Sequence, residues 1–327
     1  MRMSRELPFE CGVVEPKNAD RALGDHPSAA VGSGTAERAV SNGFHDVYQT
    51  ITDQILGDLE RGVKAWAPSW STIALLPRRS TGELYRGINV VLLWIAAAKA
   101  GYANPNWLTF NQAKALGASV RKGQKATRIL FFDRIVKDDT REGHEGEQKS
   151  IAFAKTYAVF NAEQIDGLPE SFATVDGGKS DFPAREFFDA VGANVQTGPQ
   201  PLYQPGRDCV QMPSPCDFVT VDAYVATLAH ELVHWTGHRS RLDRDFSGKG
   251  TEAYAVEELV AEVGAAFLCA TLGVATGERA DHASYIAAYV RLLRDDKRLF
   301  VRAVSAAQKA VDFLHARAAG HQAVVAA

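Results

Sequence analysis

The sequence predicts an α+β chain of two packed domains, and three observations carry that expectation. At 327 residues, 46% of them hydrophobic and 23% charged, the chain is long enough to bury two cores. Its first half contains two strand-like runs, residues 126–135 and 151–160, beside clear helical periodicity. Its second half is mostly helical in pattern and carries a histidine-glutamate motif at residues 230–234. The domains expected are 44–168 and 200–318, joined by a linker at 169–199, with a loosely held leader at 1–43 and a frayed tail at 319–327.

The elements follow in order. The leader is rich in Gly, Ser, Ala, Pro and charge, a composition that buries too little apolar area to offset chain entropy. Val47, Ile51, Ile55 and Leu59 recur at helical spacing, and Gly62 closes that helix. Trp66-Ala-Pro-Ser-Trp70 reads as an aromatic loop. The two strands of the first half are joined by a charged excursion, residues 136–150. A short helix from Ala184 to Val191 interrupts the linker. Pro201-Leu-Tyr-Gln-Pro205 and Asp208-Cys-Val-Gln-Met-Pro213 read as short strands separated by a Pro-Gly turn. Helices are expected over residues 221–235, stopped by Gly237, and over 252–269; residues 284–318 form one or two amphipathic helices that pack on the core.

The chemistry concentrates in Ala229-His-Glu-Leu-Val-His-Trp-Thr-Gly-His238. On a helix, His230 and His234 lie one turn apart on the same face, so both imidazoles can reach one metal ion, with Glu231 beside them as general base. One zinc ion held by two histidines and a carboxylate keeps a position open for water and lowers its pKa to about 7. In the next helix Glu258 and Glu262 share a face, so either can supply the third ligand while the other orients a ligand histidine. We assign Glu258 as ligand, with Glu262 as the supporting carboxylate or its alternate, and read Glu257 as a solvated acidic side chain. The third histidine of the other common zinc-peptidase pattern would fall at position 240, which is Ser, so His238 is read as a helix C-terminal residue favoured by the dipole. The bland alternative is two core histidines on an amphipathic helix.

A second concentration is basic. From Tyr85 to Phe132 there is no acidic residue, while Arg86, Lys99, Lys114, Arg121, Lys122, Lys125 and Arg128 run through the stretch, with Tyr102, Trp107 and Phe110 between them. Phosphates need cations and unstacked bases need aromatic faces, so a single-strand binder wants this interleaving. A small domain with an ordinary basic side and buried aromatics has the same composition, and both readings stand open on composition alone.

Net charge is only −3, so any nucleic-acid affinity must come from local clustering. Cys11, Cys209, Cys216 and Cys269 form no Cys-x-x-Cys pair, which argues against a thiolate metal site and fits free thiols in a reducing compartment. No apolar run approaches the ~20 residues of a membrane helix, and the N-terminus lacks a signal-peptide core. No membrane contact is expected, and a cytoplasmic location is the default.

Tyr85-Arg-Gly-Ile-Asn89, Trp107-Leu-Thr-Phe-Asn-Gln-Ala-Lys-Ala-Leu-Gly117, Val120-Arg-Lys-Gly-Gln-Lys125 and Tyr157-Ala-Val-Phe-Asn161, followed by the histidine motif, resemble the ArdC family of antirestriction proteins over residues 44–317. The resemblance implies a small α+β domain that binds single-stranded DNA, followed by a zincin-like metallopeptidase domain. It also implies a role in protecting incoming mobile-element DNA from restriction. It favours the single-strand reading of the basic stretch, with Arg86, Lys114, Arg121, Lys122, Lys125 and Arg128 on phosphates and Trp107 and Phe110 as stacking residues. It does not choose between Glu258 and Glu262, or between zinc and another divalent metal. Two other functions stay in play: a working peptidase that cleaves a host protein such as a restriction enzyme, with His282 or Tyr285 as candidate oxyanion donors, and a DNA-coating protein whose zinc is structural, with His238 as fourth ligand.

Overall fold

Strands β1 (Arg78–Arg79), β2 (Asn106–Thr109), β3 (Ser119–Val120), β4 (Thr127–Asp138), β5 (Gln148–Asn161) and β6 (Ile165–Asp166) form the sheets of the first half in the computed structural model. The structure describes residues 48–49, 51–61, 75–138, 148–173, 184–246, 248, 251–275 and 283–325; the leader, the Trp66–Trp70 loop and His282 lie outside them. Four strands pair in the order β1-β2-β5-β4, with β1 parallel to β2 and the other pairs antiparallel, while β3 and β6 make a separate antiparallel pair.

The β4–β5 hairpin is longer than the expected strands. Its register runs unbroken from Thr127↔Val159 to Asp138↔Gln148, into the charged stretch expected to be an excursion. The reason is backbone pairing: each strand satisfies the other's N–H and C=O groups whatever the side chains, so charge alone does not end a ribbon. Only the base of β5 also pairs with β2, at Trp107↔Asn161 to Thr109↔Val159, so most of the hairpin projects as a two-stranded arm.

Helix α1 (51–60), α2 (Ile88–Ala100) and α3 (Phe110–Ala115) belong to the same half. Thr109 caps α3 reciprocally with Gln112, which turns the chain sharply out of β2. The expected linker contributes α4 (Ala184–Val191), whose Phe187 and Val191 are buried, and the edge strand β7 (Val195–Thr197). β7 pairs in parallel with β9 (Cys209–Met212), and β8 (Leu202–Gln204) pairs antiparallel with β9 on its other side. Four helices follow: α5 (Val221–Thr236), α6 (Glu252–Leu272), α7 (Ala283–Asp295) and α8 (Leu299–Val325). α8 runs through the Ala-rich residues expected to fray, because alanine is the strongest helix former. Among the described residues no helix is long and apolar enough to cross a membrane.

One core joins these elements. Trp94 of α2 meets Phe267 of α6 edge to face, with ring centroids 5.6 Å apart, and Leu93, Phe300, Val304 and Leu314 belong to the same buried cluster. α1 is fastened at the turn between α7 and α8, where the buried Thr52 donates to Lys297 O at 2.7 Å.

The Tyr85-Arg-Gly-Ile-Asn89 motif is a clasp. Arg86 forms an ion pair with Asp312 of α8. Gly87, in the left-handed region at φ 56°, donates its N–H to Gln308 Oε1 at 2.9 Å. Asn89 pairs with the free edge of β4 as a strand would, its Nδ2 donating to Leu130 O at 2.7 Å and its Oδ1 accepting from Leu130 N at 2.8 Å. One amide thus ties α2 to the arm and satisfies two backbone groups of an edge strand. Replacing Asn89 with Ala leaves both groups of Leu130 without that partner, and chemical denaturation should show a loss of about 1–3 kcal/mol.

Candidate metal centre

α5 starts where Thr220 Oγ1 accepts from Ala223 N at 3.1 Å, with Asp222 in the first turn favoured by the helix dipole, and Gly237 ends it. α6 starts at Thr251, which caps Tyr254 N at 3.1 Å, and stops at Gly273 in the left-handed region. The two helices pack closely at one point. A Cβ placed on Gly264 would lie 2.9 Å from both Val233 methyl carbons, closer than packed atoms tolerate. That approach sets the first turns of α6 against the histidines of α5.

His230, His234 and Glu258 converge there, all buried, with ligand atoms within 4.8 Å of one another. The two Nε2 atoms stand 3.1 Å apart. Glu258 Oε2 lies 3.5 Å from His230 Nε2, and its Oε1 lies 3.6 Å from His234 Nε2. Burial disfavours the charged forms, but the Glu257 and Glu258 carboxylates outweigh it and push His234 up to about 10. Burial likewise opposes ionised Glu258, and hydrogen bonds from His230 and His234 hold it far below the usual carboxylate range. Two imidazole nitrogens and one carboxylate, turned to one point inside the protein, fit a divalent cation.

The carboxylate behind the histidine is Glu257, and this corrects the reading of Glu257 as solvated. It is 3% exposed, and its Oε1 lies 3.0 Å from His234 Nδ1. Accepting a hydrogen bond there fixes the ring with its Nε2 turned toward Glu258. Arg244 grips the same carboxylate from the other side, Nε to Oε2 at 2.8 Å and Nη2 to Oε1 at 2.9 Å, and also donates to Val233 O at 2.6 Å. Glu262 does not join the converging trio; its Oε1 lies 3.4 Å from Tyr289 Oη. A sequence signal for Glu257 existed: it shares a helical face with Ala261 and Gly264, small residues that admit a close neighbour.

Glu231 is buried beside the trio, and its Oε2 accepts from Tyr203 N of β8 at 2.9 Å. β8, like β7, is an edge strand, so the general-base candidate is tethered to an edge of that sheet. Tyr203 is itself held. Its hydroxyl donates to Asp208 Oδ1 at 2.9 Å, Asp208 sits in the left-handed region at φ 47°, and Arg241 forms a two-pronged ion pair with that carboxylate. Arg241 also donates to Trp235 O at 2.7 Å and lies over the Trp235 ring. The hydrogen bonds from Arg241 hold the Asp208 carboxyl below its usual range.

His238 lies outside the trio, with Nδ1 2.8 Å from Ser240 Oγ. The side chain of Tyr285, like His282, lies outside the described residues.

The basic candidates are spread over several surfaces. Lys114, Lys122, Lys125 and Arg128 are exposed, as is Phe110 at 55%. Arg121 is partly engaged, with Asp166 at 3.1 Å and with Glu163 O. Arg86 belongs to the α8 clasp. Trp107 is 1% exposed and packs against Tyr102 inside the protein, so it offers no face to a base.

Two family profiles match. Residues 45–160 match the N-terminal domain of anti-restriction factor ArdC, and residues 183–306 match a zincin-like metallopeptidase. Protein y4eC of Sinorhizobium fredii is 36% identical over 283 residues, covering 83% of this chain and 92% of the relative. A DNA primase TraC of Escherichia coli is 34% identical over 301 residues, 84% of this chain but 27% of the primase. Crystal structures of the antirestriction protein ArdC from the R388 plasmid are also similar. The metal-free form is 45% identical with a TM-score of 0.74, covering 84% of this chain and 98% of that one. The Mn(II)-bound form is 44% identical with a TM-score of 0.71, covering 83% and 98%.

Glu257→Gln should weaken divalent-metal affinity about 10–100-fold in calorimetric titration while the fold persists. Glu258→Gln should weaken it more than Glu262→Gln, and equal losses would undo the choice of Glu258. Asp208 has a depressed carboxyl, so its contribution is complete above the ordinary carboxylate pKa of about 4 and fades as pH falls below it. Asp208→Asn should therefore lower the melting temperature at pH 7, with the gap to wild type narrowing on acidification.

Proposed function

The chain belongs to the ArdC antirestriction family, and from that premise we propose that it protects incoming mobile-element DNA from a host's restriction endonucleases by binding it as a single strand. The observation that carries this reading is a split of chemistry between the two matched regions. Exposed cations Lys114, Lys122, Lys125 and Arg128 lie within residues 45–160, while the buried His230–His234–Glu258 trio lies within residues 183–306. The lysines of the Arg121–Lys125 loop neutralise phosphates. That loop is anchored from within, since Gln164 Nε2 donates to Lys125 O at 2.9 Å and leaves the side chains outward.

His230, His234 and Glu258 would hold one divalent ion, zinc by donor type. The ion supplies Lewis acidity when bound. In a peptidase reaction Glu231 would take a proton from water, and Tyr203 N–H holds its carboxylate in place. Glu257, clamped by Arg244, keeps His234 oriented. Manganese is the ion in the R388 crystal structure, so zinc and manganese deserve parallel loading.

A second reading, a working peptidase acting on a host protein, is favoured by one observation: the general-base candidate sits at the open edge of β8. A purely structural metal with four protein ligands has less support, because His238 is turned to Ser240. The TraC primases are several times longer than the shared segment, and nothing of primase activity is carried over.

Transfer of unmodified plasmid DNA into a restricting recipient tests the proposal. Wild type should raise recovery of transconjugants, and charge reversal at Lys122 and Lys125 should abolish that gain. If Glu231→Gln protects as well as wild type, protection does not require peptidase chemistry; if it protects no better than an empty vector while still binding metal, the second reading takes over.

A further inference from the structure

Three aromatic side chains stand exposed among the large hydrophobic residues described, and all lie in the first half: Phe110, Phe131 and Tyr157. The other exposed large hydrophobics are aliphatic: Leu84, Leu116, Val195, Val219 and Val221. Phe131 and Tyr157 form a pair on the β4–β5 arm, each 43% exposed, with ring centroids 5.8 Å apart and planes at 90°. The register explains the pairing. Ile129 faces Tyr157 and Phe131 faces Lys155, so Phe131, Tyr157 and Lys155 emerge on one face of the ribbon, with Phe131 diagonal to Tyr157.

Both rings share a face with buried Ile129 and pack on each other, yet each stays 43% exposed. Ile129 and Leu130 are buried at the base of the arm, whereas Phe131 and Tyr157 lie where the ribbon leaves the body. A perpendicular pair leaves one ring face open to a flat partner, and aromatic rings accept bases of any sequence. The surroundings carry the charge of a polyanion's partner. β5 contains Lys149 and Lys155 and no acidic residue, β4 carries Arg128, Arg134 and Lys137 against Asp133 and Asp138, and the Arg121–Lys125 loop enters β4 directly. Phe110 leaves the sheet at the level of Val159, since Thr109 faces Val159, two residues along β5 from Tyr157. The three exposed aromatics therefore follow one path from α3 onto the arm, with cations along it.

We propose that Phe131 and Tyr157 form a base-stacking platform for single-stranded DNA on the β4–β5 arm, continuing from Phe110 and flanked by Lys155 and the Arg121–Lys125 loop. The proposal rests on the single-strand reading above and adds the residues that contact bases. It also supplies the aromatic face that buried Trp107 withholds.

Fluorescence anisotropy of the full chain separates the two claims. The probes are a labelled oligothymidylate and an abasic strand of equal length and charge. Wild type should bind the thymidylate more tightly. Phe131→Leu with Tyr157→Leu should weaken thymidylate binding about tenfold and erase its advantage over the abasic strand, while Tyr157→Phe keeps it. Charge reversal at Lys122 and Lys125 should weaken both probes alike. If the double leucine variant keeps the advantage, the platform is refuted and the single-strand reading stands. If wild type binds neither probe, the single-strand reading itself falls, and the platform with it.

Discussion

The close packing of α6 on α5 at Gly264 and Val233 is the constraint on which the centre depends. Side chains from two helices can converge on one ion only if the helix axes run near enough for a carboxylate to reach across. Gly264 removes the obstacle, and two consecutive glutamates then divide the work. Glu258 completes the trio, and Glu257 meets the back of His234. Arg244 balances a carboxylate that would otherwise be buried against two others. An added methyl at position 264 would press on Val233 and push apart the helices whose side chains converge.

The helix pair and its histidines were legible in the sequence because they obey a 3.6-residue period and because His230 and His234 occupy one face. Periodicity also set Glu258 and Glu262 on one face, without choosing between them. Glu257 was not legible, since adjacent identical residues give periodicity no means of telling which one faces inward; only the small residues at 261 and 264 mark that face. Trp107 lies in a strand of four residues, too short for alternation to separate a buried ring from an exposed one. β7 was hidden by glycine and proline around it, and exists because β9 offers it an edge.

Distance along the chain explains the rest. Arg86 looked like one more cation in a basic stretch, yet its partner Asp312 lies in the last helix. Gly87 and Asn89 make their contacts with Gln308 and Leu130. Local composition cannot register a bond of that span. It did register the opposite case, Phe110 and the Lys122–Lys125 tip, whose side chains are exposed.

The clasp and the shared core also bear on how such a chain can be inherited. Trp94 seated on Phe267, and Gly87 and Arg86 on α8, mean that neither half closes its own apolar surface. A recombination joint between them would strand both. The segment shared with the much longer TraC primase spans 84% of this chain, carrying both halves together, as joints confined to the outside would leave it.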